Sequence, residues 1–174
     1  MTMNRFTLNE NLTGTISMNE DHEKFMNEAI ALSKDSVSCG GGPFGTVIVK
    51  DGKVIGRGVN SVTKLNDPTA HGEIVAIREA CTSLNSFRLD GCILYTSCEP
   101  CPMCLGAIYW SRVQEIYFAN TREDAASIGF DDALIYDELS VPLRDRKIAF
   151  HQIMRGEALV AFHSWTTKKD KILY

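Results

Sequence analysis

The chain has 174 residues, 44% of them hydrophobic and 23% charged, with a net charge of −4 and a pI of about 5.6. This length and composition predict one globular domain whose core is large enough to fold without disulfides. The acidic balance argues against sequence-independent binding of nucleic acid. No stretch approaches the roughly 18 consecutive apolar residues of a membrane span, and residues 1–18 contain no apolar signal segment. The six cysteines therefore predict a cytoplasmic protein that uses thiols for metal binding or catalysis.

The N-terminal part predicts an extension, a helix and a hairpin. Residues 1–18 have the composition of a loose extension, and residues 19–174 that of a single domain. A helix is expected after Asn19, a candidate N-cap followed by acids, and it ends before the glycine-rich run at Gly40–Gly42. No Lys-Ser or Lys-Thr follows this run, so we interpret it as backbone room beside a pocket. The next two β-rich runs flank a turn and predict a hairpin over residues 46–50 and 54–60.

Strands and helices alternate through the rest of the chain. Helical spacing or capping signals predict helices over residues 71–84, 102–111, 131–139 and 157–165. Runs rich in β-branched and aromatic residues predict strands over residues 92–96, 113–119 and 149–154. This order predicts a layered α/β domain in which helices cover a mixed sheet.

Three candidate metal ligands lie at the predicted starts of two helices. His71 opens one helix, and Cys101 and Cys104 open another. The partial positive charge of a helix N-terminus favours thiolate over thiol. One imidazole and two thiolates leave the fourth tetrahedral position of a zinc ion open to water, as in catalytic zinc sites. The sequence therefore predicts one catalytic Zn²⁺ per chain.

Glu73 is the candidate proton carrier. It lies two residues after His71, so it is expected beside the metal and not on it. A carboxylate there can take a proton from zinc-activated water and pass it to the substrate. His-x-Glu followed by Pro-Cys-x-x-Cys is typical of zinc-dependent deaminases. The alternative is a structural zinc site with Cys98 as fourth ligand, which leaves Glu73 without a role.

Longer segments resemble the cytidine deaminase-like superfamily. They are Asn66-Asp67-Pro68-Thr69-Ala70-His71-Gly72-Glu73 and Ser97-Cys98-Glu99-Pro100-Cys101-Pro102-Met103-Cys104. Further segments resemble the small bacterial guanine deaminases and the plant guanosine deaminases, namely Gly41-Gly42-Pro43-Phe44-Gly45, Gly129-Phe130-Asp131-Asp132 and the terminal Tyr174. The resemblance implies a three-layer α/β/α fold with a mixed central sheet. It also implies a homodimer with exchanged C-terminal segments and a small purine substrate.

The resemblance implies roles for five residues beyond the metal site. In such enzymes an Asn matching Asn60 holds the base, and an aromatic residue matching Phe44 packs on its face. An aromatic residue matching Trp110 approaches from the partner subunit. An Asp matching Asp132 and the terminal Tyr174 close the site, and Asp132 is also a candidate catalytic residue. Without the resemblance, the sequence would predict only structural positions for them. Asn60 would be a turn residue, Phe44 and Trp110 core aromatic residues, Asp132 an acid at a helix start, and Tyr174 part of a frayed terminus.

The function that the sequence predicts is hydrolysis of guanine to xanthine and ammonia. Guanosine, cytosine and other aminated heterocycles remain alternative substrates, and many relatives read His-Ala-Glu where this chain has Gly72. That variant also occurs in fungal cytosine deaminases, so Gly72 bears on the choice of substrate. The tRNA adenosine deaminases share the zinc motif but generally carry basic surfaces, which this acidic chain lacks. A non-enzymatic zinc module is the alternative of another class.

Overall fold

The computed structural model describes residues 18–173, with side chains from residue 21 onward. The predicted extension lies outside these residues except for Met18, and Tyr174 lies outside them as well. No helix within the described range is both long and apolar enough to cross a membrane. The elements are α1 Met18–Ser38, β1 Gly45–Lys50, β2 Lys53–Val59, α2 Val62–Leu65, α3 Gly72–Leu84, β3 Ile93–Cys98, α4 Pro102–Ser111, β4 Glu115–Asn120, α5 Arg122–Ser127, α6 Ala133–Ser140 and α7 Arg155–Thr167.

The four strands form one mixed sheet in the order β2-β1-β3-β4. Strand β1 is antiparallel to β2 and β3, whereas β3 and β4 are parallel. The start of β1 therefore lies at the same end of the sheet as the ends of the other three strands. Phe44 precedes β1 and Asn60 follows β2, while residues 98–101, here called the metal loop, begin at the last residue of β3. The topology thus gathers these segments along one edge.

Helices cover both faces of the sheet. Along β1, Val47 and Val49 point to one face and Ile48 to the other, as the period of two requires. The first face packs against α1, in a cluster of Phe25, Ala29, Val47, Val49 and Tyr95. The second face packs against α3 and α4, in a cluster of Ile48, Ala76, Ala80, Leu89, Cys92, Leu94 and Ile108. These layers confirm the predicted three-layer α/β/α fold.

Helix α3 lies against strand β2 with almost no side chain between them. A Cβ on Gly58 would overlap the carbonyl oxygen of Gly72, and one on Gly56 would overlap that of Ala76. Glycine allows such an approach because it has no Cβ. This contact fixes the first turn of α3, where Glu73 lies, at a set height above the sheet.

Residues 121–173 form an exposed segment, here called the C-terminal arm. The last buried residue of the described chain is Ser111, so the helices of the arm contribute no buried side chain. The predicted strand over residues 149–154 is wrong, because the segment is irregular and Ile153 is 77% exposed. A β-rich run becomes a strand only where a neighbour completes its hydrogen bonds, and no described strand pairs with this one.

Candidate active site

The structure brings His71, Cys101 and Cys104 together at two helix starts. His71 is the N-cap of α3 and Cys101 the N-cap of α4, while Cys104 is buried in the first turn of α4. Their ligand atoms all lie within 4.8 Å of one another, and each Sγ lies 3.6 Å from His71 Nδ1. Zinc bonds of about 2.05 Å to nitrogen and about 2.3 Å to sulfur, at a tetrahedral angle, require an N···S separation of about 3.6 Å. The donor set therefore fits a tetrahedral zinc ion.

Hydrogen bonds connect the three ligand side chains and change their pKa values. A hydrogen bond from Cys104 and a second from His71 lower the pKa of the Cys101 thiol to about 4. The same contact with Cys101, together with burial, raises the pKa of Cys104. The hydrogen bond with Cys101 also raises the pKa of His71. Cys101 is therefore a thiolate at neutral pH, which is the form that binds a metal.

Glu73 lies beside these ligands in the first turn of α3 and is only 6% exposed. Burial raises the pKa of this carboxyl, and the Cys104 thiol lies within hydrogen-bond reach of it. A carboxyl whose pKa moves toward neutrality can both accept and release a proton. The position and the shift suit the predicted proton carrier.

Cys98 lies outside the group of ligands. Its thiol is buried and donates to the carbonyl oxygen of Thr121 at 3.5 Å. Burial raises the pKa of this thiol to about 11, so it stays protonated at neutral pH. Among the described residues, the cluster able to hold a metal here consists of one histidine and two cysteines. This arrangement disfavours a closed structural site with Cys98 as the fourth ligand.

Phe44 and Asn60 lie side by side at the edge of the sheet. The Asn60 backbone N–H donates to the Phe44 carbonyl at 3.1 Å. The next residue, Ser61, donates to the carbonyl of Ala70 at 2.8 Å, which joins this corner to the residue before His71. A Cβ on Gly42 would come within 3.2 Å of both the Asn60 carboxamide and the Phe44 ring. The glycine run thus leaves room for these two side chains.

The C-terminal arm reaches the same edge. The Phe130 ring meets the Phe44 ring edge to face, with centroids 4.9 Å apart. Asp132 is half-buried just before α6. Burial raises the pKa of its carboxyl, and the charge of Cys101 raises it further. Asp132 therefore lies within electrostatic reach of the metal loop.

Trp110 lies apart from the metal ligands of its own chain. It is 65% exposed near the end of α4, nine residues after Cys101. At a rise of about 1.5 Å per residue, this places it about 13 Å along the helix axis from the metal loop. The predicted approach of Trp110 from a partner subunit stays a prediction, as does the role of Tyr174, which lies outside the described residues.

Two residues at this edge were given no role by the sequence. The Glu99 carboxylate accepts a hydrogen bond from the backbone N–H of Arg122 at 3.2 Å. Glu99 lies between Cys98 and Cys101, so its place inside the motif was an available signal. Arg122 carries no such signal, because its partner lies 23 residues earlier in the chain.

Residues 19–120 match the family model for the zinc-binding region of the cytidine and deoxycytidylate deaminases. The match covers more than half of the chain and includes His71, Glu73, Cys101 and Cys104. The chain belongs to the cytidine and deoxycytidylate deaminase family. This membership confirms the predicted superfamily and the predicted class of enzyme, a hydrolytic deaminase.

Similarity to individual members of the cytidine and deoxycytidylate deaminase family extends over different lengths. Guanine deaminase from Bacillus subtilis (strain 168) is 52% identical over 155 residues, which cover 88% of this chain and 99% of that protein. Its X-ray structure matches with a TM-score of 0.86 over 88% of this chain and 98% of that one. A guanine deaminase structure from Nitrosomonas europaea matches at 30% identity with a TM-score of 0.61, over 73% of this chain and 80% of that one. A tRNA-specific adenosine deaminase from Aquifex aeolicus (strain VF5) is 44% identical over 97 residues, or 56% of this chain and 64% of that protein. Since an alignment over 88% of the chain must pass residue 120, similarity to the Bacillus protein continues into the C-terminal arm.

Proposed function

We propose that this deaminase hydrolyses guanine to xanthine and ammonia, with one zinc ion per chain held by His71, Cys101 and Cys104. The observation that carries the proposal is the extent of similarity to the Bacillus guanine deaminase, which includes the C-terminal arm. Similarity to tRNA-specific adenosine deaminases covers less of the chain, from 44% to 70%. The arm supplies Asp132 to the edge of the site, so it is the part expected to distinguish a base deaminase from a tRNA editor.

Glu73 is the proposed acid and base of the reaction. Zinc in such a site supplies a water molecule whose pKa falls from about 15.7 to about 7. Glu73 takes a proton from the attacking water and delivers it to a ring nitrogen beside C2 of guanine. It then takes the proton of the new C2 hydroxyl and gives it to the amino group, which leaves as ammonia. Burial favours this role because it strengthens the affinity of the carboxylate for a proton.

Phe44, Asn60 and Asp132 are the proposed contacts to the base. A carboxamide offers one acceptor and donors in a single plane, which suits the edge of a purine, and an aromatic ring stacks on its face. The Asp132 carboxylate accepts from N–H groups of guanine. Phe44 and Asn60 support this arrangement because they are joined backbone to backbone beside the start of α3. Tyr174 is proposed to close the site at the end of the arm.

A homodimer with exchanged C-terminal arms completes the proposal. The arm exposes large apolar side chains, among them Phe162 on α7, which is 72% exposed. Exposed apolar patches of this kind mark surfaces that another chain covers. A second copy is the proposed occupant, because its own arm and its Trp110 then reach the site of the first copy.

The proposed location is the cytoplasm. Metal binding by Cys101 and Cys104 needs reduced thiols, and the cytoplasm keeps thiols reduced. All six cysteines of the chain are free in the structure, in keeping with such a compartment.

Ammonia release from a panel of substrates tests the proposed reaction. The panel holds guanine, guanosine, cytosine and a tRNA anticodon arm, and the product from guanine is identified by its ultraviolet spectrum. We expect guanine to be converted fastest, with only a mild dependence on salt because no polyanion is bound. Preferred conversion of the tRNA arm, with activity falling steeply as salt rises, would instead support the editing function.

A further inference from the structure

Three hydrogen bonds join the metal loop to the end of β4 and to the first two residues of the C-terminal arm. The Glu99 backbone N–H donates to the Asn120 carbonyl at 2.8 Å, and the Cys98 thiol donates to the Thr121 carbonyl at 3.5 Å. The Glu99 carboxylate accepts the Arg122 backbone N–H at 3.2 Å. The arm therefore leaves the sheet from a position that the metal loop fixes.

The Arg122 side chain extends this connection to α6. Its guanidinium carbon lies 4.9 Å from the centroid of the Tyr136 ring, and its Nε bonds the Glu123 carboxylate at 3.0 Å. The Tyr136 backbone N–H donates to the Asp132 carbonyl at 3.4 Å. Arg122, Asp132 and Tyr136 also line one cavity of about 200 Å³. A chain of direct contacts thus runs from the metal loop to Asp132.

We propose that Glu99 and Arg122 are positioning residues that set Asp132 against the metal site. Glu99 fixes the start of the arm, and Arg122, placed over the Tyr136 ring, holds the first turn of α6. The inference rests on the proposed function, in which Asp132 contacts the base. Both residues act through Asp132, and neither needs to touch the substrate.

Hydrogen exchange of residues 128–137 tests the positioning without any substrate. Arg122→Ala removes the cation from the Tyr136 ring, and we expect exchange in this segment to become about two- to fivefold faster, the range of an exposed cation–π contact. Tyr136→Ala should reproduce this effect, whereas Tyr136→Phe keeps the ring, loses only the hydroxyl that also interacts with Arg122, and should show a smaller increase. The matched control is Arg144→Ala, because Arg144 is 85% exposed and pairs with its neighbour Asp145. Unchanged exchange in Arg122→Ala would overturn the proposal, whatever the substrate proves to be.

A double-mutant cycle tests whether Arg122 acts through Asp132. In the zinc-loaded enzyme, Arg122→Ala should lower kcat/KM for guanine roughly tenfold, since a small misplacement can cost up to about a hundredfold. Arg122→Lys keeps a cation over the ring and should recover most of the loss. Glu99→Gln keeps an acceptor oxygen and should be milder than Glu99→Ala. On an Asp132→Asn background, Arg122→Ala should cost nothing further, and zinc content should stay constant throughout.

The outcomes separate this inference from the proposed function. If Asp132→Asn lowers kcat/KM but Arg122→Ala does not, the positioning is wrong and the function stands. An equal loss from Arg122→Ala on both backgrounds would show that it acts elsewhere, which also overturns the inference. If Asp132→Asn leaves turnover of guanine unchanged, Asp132 does not contact the base, and both its proposed role and its positioning are wrong.

Discussion

Glu73 is the only charged side chain among the buried residues of the described chain. A buried carboxylate is costly unless its surroundings compensate, and the raised pKa of Glu73 expresses this cost. Its neighbours include the candidate metal ligands His71, Cys101 and Cys104. A buried carboxyl with a raised pKa beside a candidate metal site is typical of a catalytic group.

The first prediction concerns Glu73 itself. Glu73→Ala and Glu73→Gln should fold and keep zinc, since Glu73 is proposed to carry protons and not to bind the metal. Turnover of guanine should fall by about 10²–10⁴-fold, as expected for loss of a general acid and base. Glu79→Gln is the matched control, because Glu79 is an exposed acid on the same helix. A folded, zinc-loaded Glu73→Ala enzyme with normal turnover would rule out the mechanism.

The second prediction separates the cysteines. Cys101→Ala and Cys104→Ala should each lose zinc, whereas Cys98→Ala should retain about one zinc per chain because its thiol faces the Thr121 carbonyl. Zinc is measured by elemental analysis after dialysis against a weak chelator. Loss of zinc from Cys98→Ala as complete as from the other two would make the site a four-ligand structural one.

At this scale the sequence predicted the metal cluster because the information is local. The spacing of Cys101 and Cys104 places both thiols in one helical turn, and His71 begins a helix of its own. The pairing of Glu99 with Arg122 was not predictable, because it depends on the parallel register that sets Cys98 opposite Asn120. No pattern within either segment encodes that register.

At the scale of elements, the placement of α3 depends on backbone contact. Gly58 and Gly56 let the helix rest on β2, and the same helix carries Glu73 and begins just after His71. Gly72 lies in the same interface, where a Cβ would come within 3.2 Å of the Thr46 hydroxyl. The missing methyl group of Gly72 therefore faces the sheet, and we expect it to influence packing more than the choice of base.

The third prediction compares two glycines of this interface. Gly58→Ala should lower the free energy of unfolding by about 3 kcal/mol or more, because the new methyl group would overlap backbone atoms that cannot rotate away. Gly72→Ala should cost about 1 kcal/mol or less, since the Thr46 side chain needs to shift only slightly. Urea unfolding of the metal-loaded proteins measures both. Equal costs, or a change of preferred substrate in Gly72→Ala, would contradict this account.

The elements that the sequence predicted best are those with a packed face. Helix α3 shows clear periodicity because one side of it lies in the core, whereas β1 is a short run of β-branched residues that is buried on both faces. Residues 149–154 were wrongly predicted as a strand because they have the apolar pattern of a buried strand, although they lie on the exposed arm. An apolar pattern in the sequence predicts that one face of an element will be covered, but it does not identify the chain that covers it.

At the scale of the whole molecule, the chain divides into a packed three-layer part and the exposed C-terminal arm. All buried residues of the described chain lie at or before Ser111, while Phe162 and Ile153 of the arm are exposed. The arm nevertheless carries Asp132 and, beyond the described residues, Tyr174. A site that needs both parts can draw them from one chain or from two.

The fourth prediction distinguishes these cases by complementation. A Glu73→Ala chain and a chain lacking residues 172–174 should each be inactive alone. If the arms are exchanged, their heterodimer contains one site with an intact Glu73 and an intact arm. Coexpression in equal amounts should then restore about a quarter of wild-type turnover, because half of the dimers are mixed and each has one working site.

Failure to complement would show that each arm closes the site of its own chain. Full activity of the shortened chain would instead show that the last three residues are dispensable. Light scattering of each variant checks that the shortened chain still forms the same assembly as the wild type.

The order of the elements along the chain sets the order in which they are synthesised. The candidate zinc ligands lie between residues 71 and 104, and the sheet is complete at Asn120, so the arm is synthesised after every part of the metal-binding layer. Because N-terminal segments fold first during synthesis, the ligand cluster can assemble on the ribosome while the arm is still being made. With the proposed zinc site and the proposed dimer, we expect a newly made chain to be able to bind zinc before it pairs with a second copy.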